Sequence, residues 1–348
     1  MSNKLQPFLG TALPIIQAPM AGVQDSDLAI AVCNAGGLGS LPCGMLGNEV
    51  LQAEIHRIQA ATSAPFNLNF FCHRVSDYPD LIRQRWQSVL APYFDELGVT
   101  ASSGPAKASR QPFSHDVADV IEAARPAFVS FHFGLPDKAL LQRVKSWGTR
   151  VLSSATTLDE ALWLEANGAD GIILQGLEAG GHRGMFLSME LGTQQPLHAL
   201  LALVKDRLTV PVIAAGGLGC SADINAAFKA GADAVQIGTA YLLCDEAKTS
   251  AIHRRAIVEQ PLQTQITTLF SGRPARGIVN RAMAELGPLH EAAPPFPFAS
   301  IDMGLLRQAA EQQGKGDFSP LWCGQNTSGC RDVPAAELTR DLAAGLTL

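Results

Sequence analysis

Several features that would assign a specialised role are missing from this sequence. No uninterrupted apolar run approaches the roughly 20 residues of a membrane helix. The opening MSNKLQPFLG has neither a continuous apolar segment nor a small-residue cleavage signal, so the expectation is a soluble, cytoplasmic and unanchored protein. Positive charge is not in excess, since 26 Lys and Arg face 32 Asp and Glu for a net charge of -6. That balance gives no field for collecting phosphate backbones and sets nucleic acid aside as a partner. The seven cysteines, at 33, 43, 72, 220, 244, 323 and 330, form no paired C-x-x-C arrangement. A disulfide framework and a structural zinc site are both disfavoured, and most of these residues are expected as buried thiols. No G-x-G-x-x-G follows the first apolar run, where PIIQAPMAG stands instead, which argues against an open dinucleotide-binding sheet. Small-molecule chemistry remains.

Short apolar runs, each followed by a longer amphipathic stretch, recur along the chain as alternating β and α units require. The expected strands are 14–18, 37–40, 66–70, 128–133, 150–154, 171–175, 211–215 and 234–238. Eight is the count that closes a barrel, so the fold class is α/β, a (β/α)8 TIM barrel. Thr157 and Glu160 have capping-box spacing at the start of one helix, and Asn167-Gly168 supplies its stop. NGADGIILQG (167–176) is echoed 63 residues later by AGADAVQIGT (230–239), a weak internal repeat read first as structural. A barrel takes about 250 residues. The expectation is therefore a barrel over 1–245, a smaller, mostly helical cap domain over 246–330, and a C-terminal helix within 331–348 that returns to the barrel. FSGRPARGIVNR (270–281) and the segment 97–115 read as loops.

In such a barrel, side chains at the carboxyl ends of the strands and on the loops that follow line the active site. AAGGLG (214–219) and QIGTA (236–240) end the last two strands, where Gly216, Gly217 and Gly238 let bare backbone approach an anion at the start of the next helix. Gln236 and Thr239 add an amide and a hydroxyl beside that cup. Asn67 and Asn69 share one side of the third strand, and Asn69, nearer its end, is favoured for bonding the edge of a flat heterocycle. Ala18, Pro19 and Met20 end the first strand with exposed backbone and a soft thioether, although Met20 also suits plain core. His132 ends the fourth strand, where a satisfied structural histidine is the bland alternative. His182 stands in ILQGLEAGGHRGMF (172–185), among glycines that leave the imidazole unshielded and able to take a proton near neutral pH. Glu178 and His182 are four apart, a metal-like spacing, but Gly180 and Gly181 break any helix there and no further ligand stands nearby, so no metal is expected.

Assembled in order, LPIIQAPMAG, NAGGLGS, PFNLNFFCH, SFHFG, QGLEAGGHRG, AAGG and QIGTA, with SGRPARG beyond, resemble the nitronate monooxygenase family, formerly 2-nitropropane dioxygenases, and its class I branch in particular. The resemblance implies an FMN-dependent barrel that oxidises alkyl nitronates, or nitroalkanes, with O2 to a carbonyl compound and nitrite. By position it implies flavin contacts at Ala18, Pro19, Met20, Asn69, Gln175, Gly180, Gly181, Gly217, Gln236, Ile237, Gly238 and Thr239, with His182 as base or nitronate-binding group and His132 as a second catalytic histidine. The cap segment PPFPFASIDMGLLR (294–307) lacks the tyrosine and lysine often found there in the family, so that side of the pocket is expected to be apolar. The expected assembly is a monomer or homodimer. Two alternatives stay open, an NAD(P)H-dependent flavin reductase of quinones or enoyl thioesters on the same barrel, and a binder that has lost its chemistry.

Overall fold

The computed structural model describes residues 8–103, 110–259 and 262–346. Eight parallel strands form the central sheet: β1 (Ile15–Gln17), β2 (Gly39–Pro42), β3 (Phe66–Phe71), β4 (Phe128–His132), β5 (Arg150–Ala155), β6 (Gly171–Gln175), β8 (Val212–Ala215) and β9 (Ala234–Ile237), with a short β7 (Gly181–His182) outside it. The order β1-β9-β8-β6-β5-β4-β3-β2 is closed by a bridge between Ile16 and Leu38, which makes the sheet a barrel. β2 begins two residues later than expected. Leu38 donates to the Ile15 carbonyl at 2.9 Å, so this part of the approach to β2 closes the cylinder.

Each strand is buried on both faces, which is why it reads as a nearly continuous apolar run rather than an alternating one. Ile16, Leu38, Leu152, Ile173, Ile213 and Ala234 pack together as one cluster. Ile15, Ile172, Leu174, Val212 and Val235 pack with the surrounding helices in another. That division follows the two-residue period of a strand.

The helices are α1 (Ser26–Asn34), α2 (Asn48–Ala61), α3 (Asp80–Leu97), α4 (His115–Glu122), α5 (Lys138–Ser146), α6 (Leu158–Ala166), α7 (Leu197–Val204), α8 (Ser221–Lys229), α9 (Ala251–Val258), α10 (Arg281–Leu286), α11 (Ala299–Gln312) and α12 (Ala335–Ala343). β9 is followed only by a 3-10 turn, Thr239–Leu243. α12 packs against α1 and α8, covering the seam that a helix after β9 would otherwise cover. A buried hydrogen bond of 2.9 Å between the Tyr241 and Thr339 hydroxyls joins turn to helix.

Two expectations need correction. The segment 246–330 was expected to be mostly helical, yet it contains β10 (Thr264–Thr267) and β11 (Ala275–Ile278). These form an antiparallel sheet with β7, in the order β10-β11-β7. β11 falls in FSGRPARGIVNR, read from sequence as loop because its glycines and proline hide the strand, and one of its two partners, β7, lies more than ninety residues away. Thr157 caps its helix by accepting the Glu160 N–H at 3.2 Å, but the Glu160 carboxylate, expected to complete the capping box, instead accepts from Thr156 and from Phe186 in a distant loop. Of the expected 97–115 loop, residues 104–109 lie outside the described residues, as do 347–348 of the C-terminal segment.

The internal repeat has a structural explanation. Asp170 donates its N–H to the Val151 carbonyl at 2.7 Å and accepts the Val151 N–H on its carboxylate at 2.8 Å. Asp233 makes the same pair with Val212, at 2.7 and 2.9 Å. In each G-A-D phrase the aspartate thus clamps the beginning of the preceding strand. Asp233→Ala would leave the Val212 N–H unpaired and is expected to cost about 1–3 kcal/mol. Urea denaturation would show a lower midpoint with an unchanged slope, and an unchanged midpoint would contradict the clamp.

Candidate active site

One cleft opens at the carboxyl ends of the strands, and every site residue expected from the sequence lines it: Ala18, Pro19, Met20, Asn69, His132, Gln175, Gly180, Gly181, His182, Gly216, Gly217, Gln236, Ile237, Gly238 and Thr239. The sequence did not single out Phe71, Arg110, His253, Trp322 or Asn326, which also line it.

The loop that carries His182 is held from three sides. Its backbone forms β7 against β11, with His182 opposite Ala275. Its carbonyl accepts the Gln175 amide N–H at 2.8 Å and lies 3.1 Å from His132 Nε2. Since a carbonyl only accepts, His132 carries its proton on Nε2, and its Nδ1 takes the Ser154 hydroxyl at 3.0 Å. Burial pushes the His132 pKa down to about 4. Both its nitrogens are engaged, so this histidine, expected as catalytic, is placed to fix the backbone of the other. Gln175 completes the hold by accepting the Gly184 N–H at 2.8 Å.

The glycines serve close approach. A Cβ on Gly184 would lie 2.9 Å from the His132 ring, and one on Gly180 would lie 2.5 Å from the Gly324 nitrogen, separations that real side chains do not tolerate. Any other residue at these two positions would push the loop off its clamps.

Arg183 does not point to chemistry. It is fully buried and donates to the Gly176 carbonyl at 2.7 Å, the Gln175 carbonyl at 2.8 Å and the Gln194 side-chain oxygen at 2.9 Å. Gln194 in turn donates to the Thr156 hydroxyl at 3.0 Å. The buried Glu160 carboxylate accepts from Thr156 N–H and hydroxyl, both at 2.7 Å, and from Phe186 N–H at 2.6 Å. This network anchors both flanks of the histidine loop. Glu178 is spent elsewhere, accepting the Leu197 N–H at 3.0 Å at the start of α7, so the spacing of Glu178 and His182 does not bring their side chains to one task.

His182 Nε2 lies 2.8 Å from the Ser271 hydroxyl, and Ser271 donates to the Arg273 carbonyl at 3.3 Å. With the serine proton on that carbonyl, Nε2–H donates to the serine oxygen. The lone pair is left on Nδ1, which has no protein partner among the described residues. The ring stands among Phe71, Phe133, Phe296 and Trp322, with centroids 5.5 to 6.4 Å away. Burial in this aromatic wall, together with the Arg110 charge, holds the imidazole well below its ordinary value of 6.5.

At the opposite end, Gly216, Gly217 and Gly238 leave the ends of β8 and β9 bare, ahead of α8 and the 3-10 turn. Residues beyond β11 close over them. Gly324 donates to the Thr239 hydroxyl at 2.9 Å, and Asn326 donates to the Gly217 carbonyl at 2.8 Å. Asn69 spends its amide nitrogen on the Ser130 hydroxyl at 2.9 Å, and Asn67, one turn of the pleat deeper, bonds the Ser40 and Ser130 hydroxyls inside the barrel. The Gln236 side-chain oxygen is buried without a partner. A buried acceptor left open in this way is costly unless something donates to it.

The nitronate monooxygenase family profile matches residues 2–345. A nitronate monooxygenase of Paraburkholderia phytofirmans is 42% identical over 346 residues, covering 97% of this chain and 93% of the relative. One from Pseudomonas aeruginosa is 39% identical, with 99% of each chain covered. Among solved structures, a nitroalkane oxidase from Streptomyces ansochromogenes superposes with a TM-score of 0.88 at 37% identity, over 98% of this chain and 97% of the other. FabK of Thermotoga maritima, at 23% identity and a TM-score of 0.70, shares the fold. Matched from end to end, the chain belongs to the nitronate monooxygenase family and is an oxidoreductase of that flavin-dependent type.

Proposed function

We propose that the cleft binds FMN and that the protein oxidises alkyl nitronates with O2, and nitroalkanes after proton removal, to a carbonyl compound and nitrite. The observation that carries this reading is a single cleft whose lining brings together a buried imidazole, bare glycine backbone at the ends of β8 and β9, and an unpartnered buried acceptor, Gln236 Oε1.

The residues present fit a flavin mononucleotide. Gly216, Gly217 and Gly238, ahead of α8 and the 3-10 turn, would hold the phosphate. Thr239, whose hydroxyl oxygen already accepts from Gly324, keeps a proton to donate to it. Gln236 Oε1 would gain the donor it lacks from a ring N–H, and Asn69 would offer its amide oxygen to the ring edge. Ala18, Pro19, Met20 and Ile237, which line the same cleft, would offer backbone and thioether contacts to the ring. Gly180 and Gly181 keep the loop thin where it passes. When bound, the flavin supplies the two-electron acceptor and its reoxidation by oxygen.

The chain's own work is positional and acid–base. Gln175, its amide engaged by the His182 carbonyl and the Gly184 N–H, holds the loop rather than the ring. His132 does the same from the other side. Ser271 orients the imidazole through Nε2 and leaves Nδ1 to take the α-proton of a neutral nitroalkane. Phe71, Phe133, Phe296 and Trp322 keep water from the site.

The test begins with purified protein reconstituted with riboflavin 5′-phosphate and given propyl-2-nitronate without nicotinamide. Oxygen uptake with nitrite release is expected, whereas bleaching only by NADH or NADPH would assign the cleft to reductase chemistry. His182→Asn is expected to lower turnover of neutral nitropropane by about 10²- to 10⁴-fold, the span of a lost general base, while largely sparing preformed nitronate. Equal loss on both substrates would remove the base role. Because the folded pKa of His182 is depressed, its neutral form persists below 6.5, so the acid limb of nitroalkane turnover is expected well below that value. A limb at 6.5 in the pH profile of kcat/KM would contradict a buried base.

A further inference from the structure

The cleft must hold the carbon groups of its substrate as well as the reacting atoms, and the rings around His182 show what those groups meet. Of the four aromatic rings described around the imidazole, Phe71 and Trp322 line the cleft, whereas Phe133 and Phe296 do not. A substituent on a carbon within reach of the base therefore faces these two rings. Each is seated on a glycine. A Cβ on Gly277 would lie 3.0 Å from the Trp322 ring. A Cβ on Gly44 would lie 2.7 and 2.9 Å from two atoms of the Phe71 ring, and its three nearest contacts all belong to that ring. Gly44 does not adopt the left-handed backbone that favours glycine, so what calls for a glycine there is the ring. The segment is tied to β3 beside it, where the Cys43 N–H donates to the Asn69 carbonyl at 2.8 Å. Phe71 ends β3, two residues beyond Asn69 and on the same side of the strand. Its ring packs 5.3 Å from Phe133 and 6.1 Å from Phe296 in one buried cluster. The side left open is the cleft.

Resting on the oxidation proposed above, we propose that Phe71 limits the bulk of the carbon substituents that the site accepts, and that Gly44, a positioning residue, sets this limit by letting the ring lie back from the cleft. Packed interiors leave little room for a ring to shift. A methyl group at Gly44 therefore moves the Phe71 ring toward the cleft, and a smaller side chain at Phe71 withdraws the wall. The substrate class that fits is a nitronate with small apolar substituents, because the two walls that face them are aromatic.

The test compares FMN-loaded wild type, Gly44→Ala, Phe71→Leu and Phe71→Ala on two secondary nitronates of different bulk, propyl-2-nitronate and cyclohexyl nitronate. The readout is the ratio of kcat/KM for the cyclohexyl substrate to that for the propyl substrate. Gly44→Ala is expected to lower this ratio, and the two Phe71 variants to raise it, each by roughly 10-fold, the discrimination that one carbon makes in an apolar pocket. A merely structural loss lowers both substrates together and leaves the ratio where it was. Should Gly44→Ala or Phe71→Ala not fold, the sign of the change in Phe71→Leu decides. An unchanged ratio in any variant that folds, or a shift of the Gly44 and Phe71 variants in the same direction, would overturn the assignment. Should wild type oxidise neither nitronate, the functional reading falls by itself. Calorimetric titration of the proteins with isobutyrate and cyclohexanecarboxylate, unreactive carboxylates of the same shapes, then still decides the size limit. A ratio of affinities that moves in these opposite directions supports it, and a ratio that does not move, or binding of neither, overturns it.

Discussion

The carbonyl oxygen of His182 is the point on which the site depends. Two donors from the barrel, Gln175 and His132, meet on it, and each is itself fixed by a further bond, to Gly184 and to Ser154. The backbone on either side is tied outward, through Arg183 to the end of β6 and through Phe186 to Glu160. A glycine-rich loop has much conformational freedom to lose on ordering, and these bonds are what offset that loss. The result is an imidazole whose position is set by the rigid strand ends rather than by the loop that carries it, as a site that must hold its geometry requires.

Two arginines separated by sequence and by role illustrate how context decides what a charge does. Arg183 adjoins the histidine, yet its guanidinium faces two carbonyls and a glutamine oxygen, all neutral acceptors, and serves as a many-pronged strut. Arg110 lies more than seventy residues away in the chain, yet it lines the cleft, against a phenylalanine ring and a serine. Burial without an acidic partner is costly for a cation. In Arg183 three strong hydrogen bonds offset that cost.

The barrel was legible from the sequence because parallel strands buried on both faces leave short apolar blocks at regular intervals, and because glycine, asparagine and aspartate mark the helix stops. The strand-end residues followed from the fold itself, which sends such positions to one face. What escaped was decided by distant partners. β7 is two residues long and has no periodicity to detect, and its partner β11 hides in a segment punctuated by glycine and proline. Glu160 stands at capping spacing from Thr157, and only the arrival of Phe186 beside it in space gives it another use. Arg110 follows a stretch of small and polar residues with no repeating pattern, so no local signal set it apart from a surface arginine. Ser271 and Asn326 were missed for the same reason: each is a common polar residue whose meaning comes from what the chain folds against it.

From sequence alone, His182 had two possible duties, to remove a proton as neutral imidazole or to hold an anion as imidazolium, and these make opposite demands on its surroundings. An imidazolium needs acceptors or carboxylates near it and contact with water. Around His182 stand four aromatic rings and two arginines, while the nearby carboxylates of Glu160 and Glu178 are bound to backbone elsewhere. Both burial and like charge disfavour protonation, so the environment supports the base and weakens the anion receptor.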